Sequence, residues 1–242
     1  MTARHGLVAS CALALAAAAH AGAVNATAGA DATVRRTVLL GRSVDGRPIT
    51  AVETGDPDTR GKTLVVGCIN GNECAGIPIA ERLISTRPPA EADIWVVRDL
   101  NPDGAAAATR GNAHGVDLNR NFPWRWQRLS GTYYSGPRPL SEPETRIAYR
   151  LVERLRPSVS MWFHQHLDLV EDSTGNRSLE RRFARAAGLR LAPLAREPGS
   201  VVNWETHRVP HASAFVVELP AGTPAPAVVA RLARAVRLSA RG

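Results

Sequence analysis

Four polar clusters stand where apolar runs of the chain end, and their residue types are the ones that could do chemistry: Asn70 with Glu73, Arg110 with Asn119 and Arg120, His164, and Glu218. Glu218 is the sharpest of them. It interrupts the apolar run Ala214 to Leu219, and a carboxylate placed there is costly to bury without a partner or a purpose. With a perturbed pKa it is a candidate general base. The others have plain alternatives: Glu73 as a carboxylate favouring the first turn of a helix, His164 as a satisfied structural histidine, and Arg120 as one more arginine in an arginine-rich chain.

The elements that must position these residues follow from apolar runs and turn chemistry. Leu64 to Cys68, Asp93 to Val97, Val159 to Phe163 and Ala214 to Leu219 read as short buried strands, and Val38–Leu40 and Ile49–Glu53 as two more, joined by a turn at Asp45-Gly46. Helices are expected from about Glu73 to Ser85, with Pro78 near its start, and from Ser141-Glu142-Pro143-Glu144, a capping box, to about Arg156. Two more cover Ser178–Ala187 and Ala227–Leu238. Asn101-Pro102-Asp103-Gly104 reads as a turn, and Arg110 to Pro123 as an irregular stretch of the kind that carries function. Helices alternating with buried strands imply one three-layer α/β/α domain with a mixed, mainly parallel central sheet. In such sheets ligands sit where strands end in loops, as Leu64-Val65-Val66 does at Gly67.

The formal charge is +8, and Lys62 is the one lysine among 30 basic residues. No basic run carries interleaved aromatics, so a nucleic-acid partner is not expected. Residues 1–26 have the pattern of a secretory signal peptide, with Arg4, an apolar core from Leu7 to Ala19 and small-x-small cleavage positions. Cys11 lies inside that core, where a lipid anchor would not be. No later run reaches the ~20 apolar residues that cross a bilayer. The expectation is a secreted or periplasmic monomer, with 27–36 a flexible N-terminal segment and 37–242 the domain. Cys68 and Cys74 could form a disulfide across a six-residue step or be two small buried residues lining a tight turn.

Several strings, in order, resemble the zinc carboxypeptidase superfamily, and most closely its compact bacterial members of the murein peptide amidase type: the strand and loop around Asn70-Gly71-Asn72-Glu73, then NPDG, RGNAHGVDLNRNFP, SEPET, WFHQHLDLV and FVVELP, spanning Val65 to Pro220. The resemblance implies one zinc ion held by Glu73, His164 and the residue at position 70. Asn70 stands where the family has histidine. It further implies Glu218 as the general base, Arg110 as the cation that stabilises the oxyanion, and Asn119 and Arg120 as the grip on a terminal carboxylate. His166, two residues beyond His164, is a possible compensating ligand if both lie on a strand. No tyrosine lies between His164 and Glu218, where the larger carboxypeptidases carry one that closes over the substrate. Trp204, in that interval, would either line the pocket or pack in the core.

The function expected is therefore hydrolysis of an amide bond next to a terminal carboxylate in peptides or cell-wall peptides. Amide oxygen binds zinc less well than imidazole, so a catalytically inactive relative that binds such peptides is the first alternative. An N-acyl amino acid deacylase of the aspartoacylase type is the second.

Overall fold

The computed structural model describes residues 1–2, 33–173 and 175–241. Nearly all of the expected signal segment, and 27–32 of the segment after it, lie outside the described residues. By its contacts the chain divides into Met1–Ala30 and Asp31–Gly242, and the second unit holds all the elements that follow.

In chain order these are β1 (Val34–Arg42), β2 (Pro48–Gly55), β3 (Lys62–Val66), α1 (Ile77–Ser85), β4 (Asp93–Val97), α2 (Pro102–Ala107), α3 (Pro143–Leu155), β5 (Val159–Gln165), β6 (Leu169–Glu171), α4 (Arg177–Ala187), β7 (Arg190–Ala192), α5 (Val201–Arg208), β8 (Ser213–Leu219) and α6 (Pro226–Ser239). The strands form one sheet in the order β1-β2-β4-β3-β5-β8-β6-β7. The central β4, β3, β5 and β8 are mutually parallel, and β1, β2 and β6 pair antiparallel. This is the mixed, mainly parallel α/β sheet that the alternation of runs implies.

Period two along the strands splits the core in two. Val65, Ile94, Met161, Phe163, Phe215 and Val217 face α1, α4 and α6. Leu64, Val66, Trp95, Trp162, Ala214 and Val216 face α3 and α5. Trp162 and Phe163 are fully buried on opposite faces, each contributing about 1.5–3 kcal/mol of burial. After β3 the chain steps to β4 on one side and later to β5 on the other. Such a reversal opens a crevice beyond the strand ends, and the Asn70 loop leaves β3 there. Among the described residues no helix is long and apolar enough to cross a membrane.

Several expectations need correction. Residues 34–36, assigned to a flexible segment, are strand: Val34 to Arg36 pair with Gly55 to Glu53, and backbone pairing holds an edge whose side chains are largely exposed. Helix α1 begins at Ile77, after an N-cap at Gly76, so Glu73 lies in a turn, where its amide donates to the Asn70 carbonyl at 2.8 Å. Asn101-Pro102 opens α2 instead of a turn. The Asn101 side chain accepts from the Gly104 amide, with Pro102 at the start of the helix, where no donor is needed. The Ser141 capping box does not form; Glu142 is the N-cap residue, without a side-chain cap bond, and Glu144 instead accepts from the Val44 amide.

Candidate functional site

Asp117 shows how the irregular stretch is held. Fully buried, it accepts hydrogen bonds from Asn70 Nδ2 at 2.8 Å, Arg110 Nε at 2.7 Å and the Asn119 amide at 2.9 Å. One carboxylate thereby fixes the loop after β3 to the segment that carries Arg110, Asn119 and Arg120. The same loop also meets α2 through glycines. A Cβ on Gly71 would come within 2.0 Å of the Gly104 carbonyl carbon, so no larger residue fits between that loop and α2. Cys68 and Cys74 are joined as a disulfide with Cα atoms 4.7 Å apart, which closes the loop around Asn70 covalently.

His164 and Glu218 are brought together by sheet register alone. They are direct partners across the parallel β5–β8 pair, both near the C-terminal strand ends, on the face shared with Trp162 and Val216. His164 Nδ1 is 2.9 Å from Glu73 Oε2, and its Nε2 is 3.4 Å from Asn119 Nδ2. Glu73 Oε1 accepts from Arg110 Nη1. A cavity of about 330 Å³ lies over these groups, lined by Glu73, Arg110, Asn119, Arg120, His164 and Glu218. The sequence candidates thus converge, apart from two that stand differently. Asn70 is fully buried and is not among the residues that line the cavity. His166 borders the cavity but is exposed and lies one residue past the end of β5, so strand periodicity does not turn it toward His164. Among the described residues no three His, Cys, Asp or Glu side chains converge as a metal cluster.

The electrostatics divide the carboxylates. Burial raises Glu73, but its hydrogen bond to His164, the charge of His164 and the Arg110 guanidinium outweigh that and hold it below the ordinary carboxylate range. Burial raises Glu218 above that range, with the Glu73 charge adding to the rise and His164 opposing it. Two neighbouring carboxylates pushed apart in this way suit different tasks, one a ligand and the other a base.

Whether zinc fits is decided by the donors. Glu73 and His164 supply one carboxylate and one imidazole, and the proton they share is what a cation would displace. Asn70 Oδ1 is buried without a hydrogen-bond partner, because its amide nitrogen is committed to Asp117. An orphaned acceptor on that loop is an unspent third donor. Three donors match a catalytic site in number. In kind, an amide oxygen replaces a nitrogen.

Sequence reasoning missed three residues here. Asp117 sits inside the GVDLNR string and was visible as an acid amid a motif. Tyr133 was not: it precedes His164 in the chain, yet its half-exposed ring covers both guanidiniums, 5.0 Å from Arg110 Cζ and 5.2 Å from Arg120 Cζ. Glu171, at the end of the short β6, also lines the cavity. Trp204 packs in the core, stacked on Phe122 and Tyr149 with centroids 5.2 and 4.9 Å away.

Known proteins resemble this chain in sequence and in fold. A family model described as zinc carboxypeptidase matches residues 23–171. Murein peptide amidase A of Escherichia coli K12 is 31% identical over 184 residues, covering 69% of this chain and 75% of that protein. The Vibrio campbellii murein peptide amidase A is 27% identical over 196 residues, covering 74% and 77%. The crystal structure of the murein-tripeptide amidase from E. coli O157 superposes with a TM-score of 0.70 at 26% identity, over 87% of this chain and 98% of that one. Carboxypeptidase A from Helicoverpa armigera shares the fold, with a TM-score of 0.71 at 16% identity over 86% and 68%.

Proposed function

Because the chain belongs to the zinc carboxypeptidase family, metallopeptidases that hydrolyse peptide amide bonds, we propose that it removes the terminal residue of peptides bearing a free carboxylate, cell-wall peptides among them, after export from the cell. The observation that carries this reading is the sheet register that sets Glu218 beside His164, in one cavity with Arg110 and Arg120. The murein amidases named above support the cell-wall substrate, and the pattern of residues 1–26 supports export.

In this reading Glu73, His164 and Asn70 would hold the zinc, which when bound supplies Lewis-acid polarisation of the scissile carbonyl. The chain's own residues do the rest. Arg120 donates to the substrate carboxylate; it lines the cavity, and its Nη2 only reaches Glu197 at 3.6 Å, which leaves it able to turn to an anion. Asn119 holds the Val201 amide through Oδ1 at 2.9 Å and so ties the floor of the grip to α5. Arg110 is fixed by Asp117 and Glu73, and among the described residues its Nη2 has no partner. That fixed cation suits charge developing on the carbonyl oxygen. Glu218, whose carboxyl burial raises above the ordinary carboxylate range, takes a proton from the attacking water and hands it to the departing amine.

The test compares one peptide with a free and with an amidated carboxyl end, with zinc supplied. Loss of the last residue from the free acid only is expected. Absence of cleavage in both at saturating zinc sinks the hydrolytic reading. A second reading rests on Asn70 itself: the same cavity without a firmly held cation binds carboxylate-ended peptides and does not cut them, and binding without turnover in that experiment selects it.

A further inference from the structure

Charge is spread unevenly over the two faces of the sheet. Helix α6 carries three arginines and no acid, and α4 carries four arginines against Glu180, which is buried and bonded to Ser173 and Ser213. On the other face α3 carries three arginines with two glutamates, and α5 one of each. The two basic helices are joined, since Arg231 Nε of α6 donates to the Ala187 carbonyl of α4 at 2.8 Å.

This basic side is most concentrated where α1 and α6 end. Arg82, Arg234, Arg237 and Arg241 line a cavity of about 280 Å³, with Thr86 and the half-exposed Leu238. It shares no residue with the candidate active site. Arg241 Nε is 3.2 Å from Glu91 Oε2, and Glu91 stands two residues before β4. The cavity therefore lies near the N-terminal strand ends, away from the ends that carry His164 and Glu218.

Cations suit the last turn of a helix, which accounts for Arg82 and Arg237. It does not account for four guanidiniums around one cavity. Arg237 Nη1 donates to the Arg87 carbonyl at 2.8 Å, and among the described residues the Arg82 and Arg234 guanidiniums have no hydrogen-bond or ion-pair partner. Burial and the Arg241 charge both lower the Arg237 pKa. Like charges held this close repel one another, and an anion entering the cavity relieves that repulsion.

We propose that this cavity binds a phosphate group of a phosphodiester polymer that lacks bases. Phosphate is favoured over carboxylate because its oxygens surround one centre and accept guanidinium forks from several sides, whereas a carboxylate offers one edge. The exposed Arg181, Arg182 and Arg185 of α4 extend the positive surface beyond the cavity, which favours a chain of phosphates over a single one. No aromatic side chain lines the cavity for a base to stack on. A lipid surface fits less well: a helix lying on a membrane buries a whole apolar face, and Leu238 is the one exposed large apolar side chain among the described residues of α1, α4 and α6. On a polyol-phosphate chain of the cell envelope, this contact would hold an exported peptidase beside cell-wall peptides. That location rests on the function proposed above; the binding does not.

The test titrates the full chain by calorimetry, over a range of salt concentrations, with a glycerol-phosphate oligomer, an oligothymidylate and an oligoglutamate of equal charge, and with phosphatidylglycerol vesicles. The glycerol-phosphate oligomer should bind about tenfold more tightly than the oligoglutamate, at least as tightly as the oligothymidylate, and more tightly than the vesicles. Arg82→Gln combined with Arg234→Gln should weaken it about tenfold or more and flatten the slope of log K against log salt by about 1.4, as two lost phosphate contacts on a single strand require. Arg150→Gln combined with Arg156→Gln removes the same charge from exposed positions on α3 and at its end and should change neither. Absence of binding to the glycerol-phosphate oligomer, equal losses in the two double variants, or stronger binding of any other probe overturns the proposal, as does equal affinity for oligoglutamate. Should the first double variant fail to fold, competition decides on wild type: inorganic phosphate should displace the oligomer where chloride of equal ionic strength does not, and equal displacement overturns the proposal. Peptide cleavage enters none of these measurements, so the hydrolytic reading and this one can fail separately.

Discussion

One face of β5 carries Ser160, Trp162 and His164 in succession, and each meets a glutamate. At the lower end Glu205 accepts from the Ser160 hydroxyl and, at 3.0 Å, from Trp162 Nε1. Fully enclosed, its carboxyl is pushed by burial up to about 7. At the upper end Glu73 accepts from His164 and Arg110 at the edge of an open cavity, and Glu218, also raised by burial, stands beside it. A perturbed carboxyl therefore does not by itself mark a site. What separates the two ends is unspent capacity. Glu205 has both oxygens satisfied by neutral donors, whereas the upper end keeps an orphaned Asn70 Oδ1 and an orphaned Arg120 Nε.

That contrast is broken or sharpened most strongly at Glu218. Glu218→Gln should lower kcat by about 10²–10⁴ with little change in KM, as steady-state kinetics on a carboxylate-ended peptide will show; an equal loss in KM alone would make it a binding group. Next is Asn70→His. Metal affinity, read by chelator competition, should tighten by roughly tenfold to a hundredfold or more, at least the scale on which outer partners of a metal already act. Unchanged affinity would mean that Asn70 Oδ1 is not a donor. Arg120→Lys should raise KM by about tenfold while sparing kcat, since a point charge replaces a fork. Smallest on turnover is Glu205→Gln, expected to leave kcat/KM unchanged.

Its signature is in stability. The folded carboxyl titrates near 7 against an ordinary value of 4.5, so the native state holds the proton more tightly. The associated stability is fully present below about pH 4.5 and lost as pH rises through 7. Urea titrations at pH 5 and pH 8 should differ less for Glu205→Gln than for wild type, by up to about 3 kcal/mol. A difference as large as in wild type would place the titrating group elsewhere.

The central sheet was legible because its strands are buried on both faces and read as continuous apolar runs, as Asp93–Val97 and Ala214–Leu219 do. The short β6 and β7 carry only three residues each, too few to show a period, and with β6 went Glu171. Helix α5 was hidden inside a proline-punctuated stretch. Asn101-Pro102 misled because the same residue types open a helix or make a turn, and the sequence does not say which. At the site, residues at strand ends could be read from the apolar runs before them, whereas Tyr133 acts through a contact between loops that no local pattern encodes.

The bond between Asn70 and Asp117 has a genetic consequence. Asparagine and histidine codons differ only in their first base, so one transversion exchanges the two side chains. Asp117 would accept an imidazole N–H as it now accepts the amide, which is how a carboxylate commonly orients a metal-binding histidine. The disulfide and the Gly71–Gly104 contact would hold the loop in place meanwhile. A histidine at position 70, the ligand that the family resemblance implies, is thus a single nucleotide away with its scaffold still standing, and a population carrying this gene can sample both forms of the site by point mutation alone.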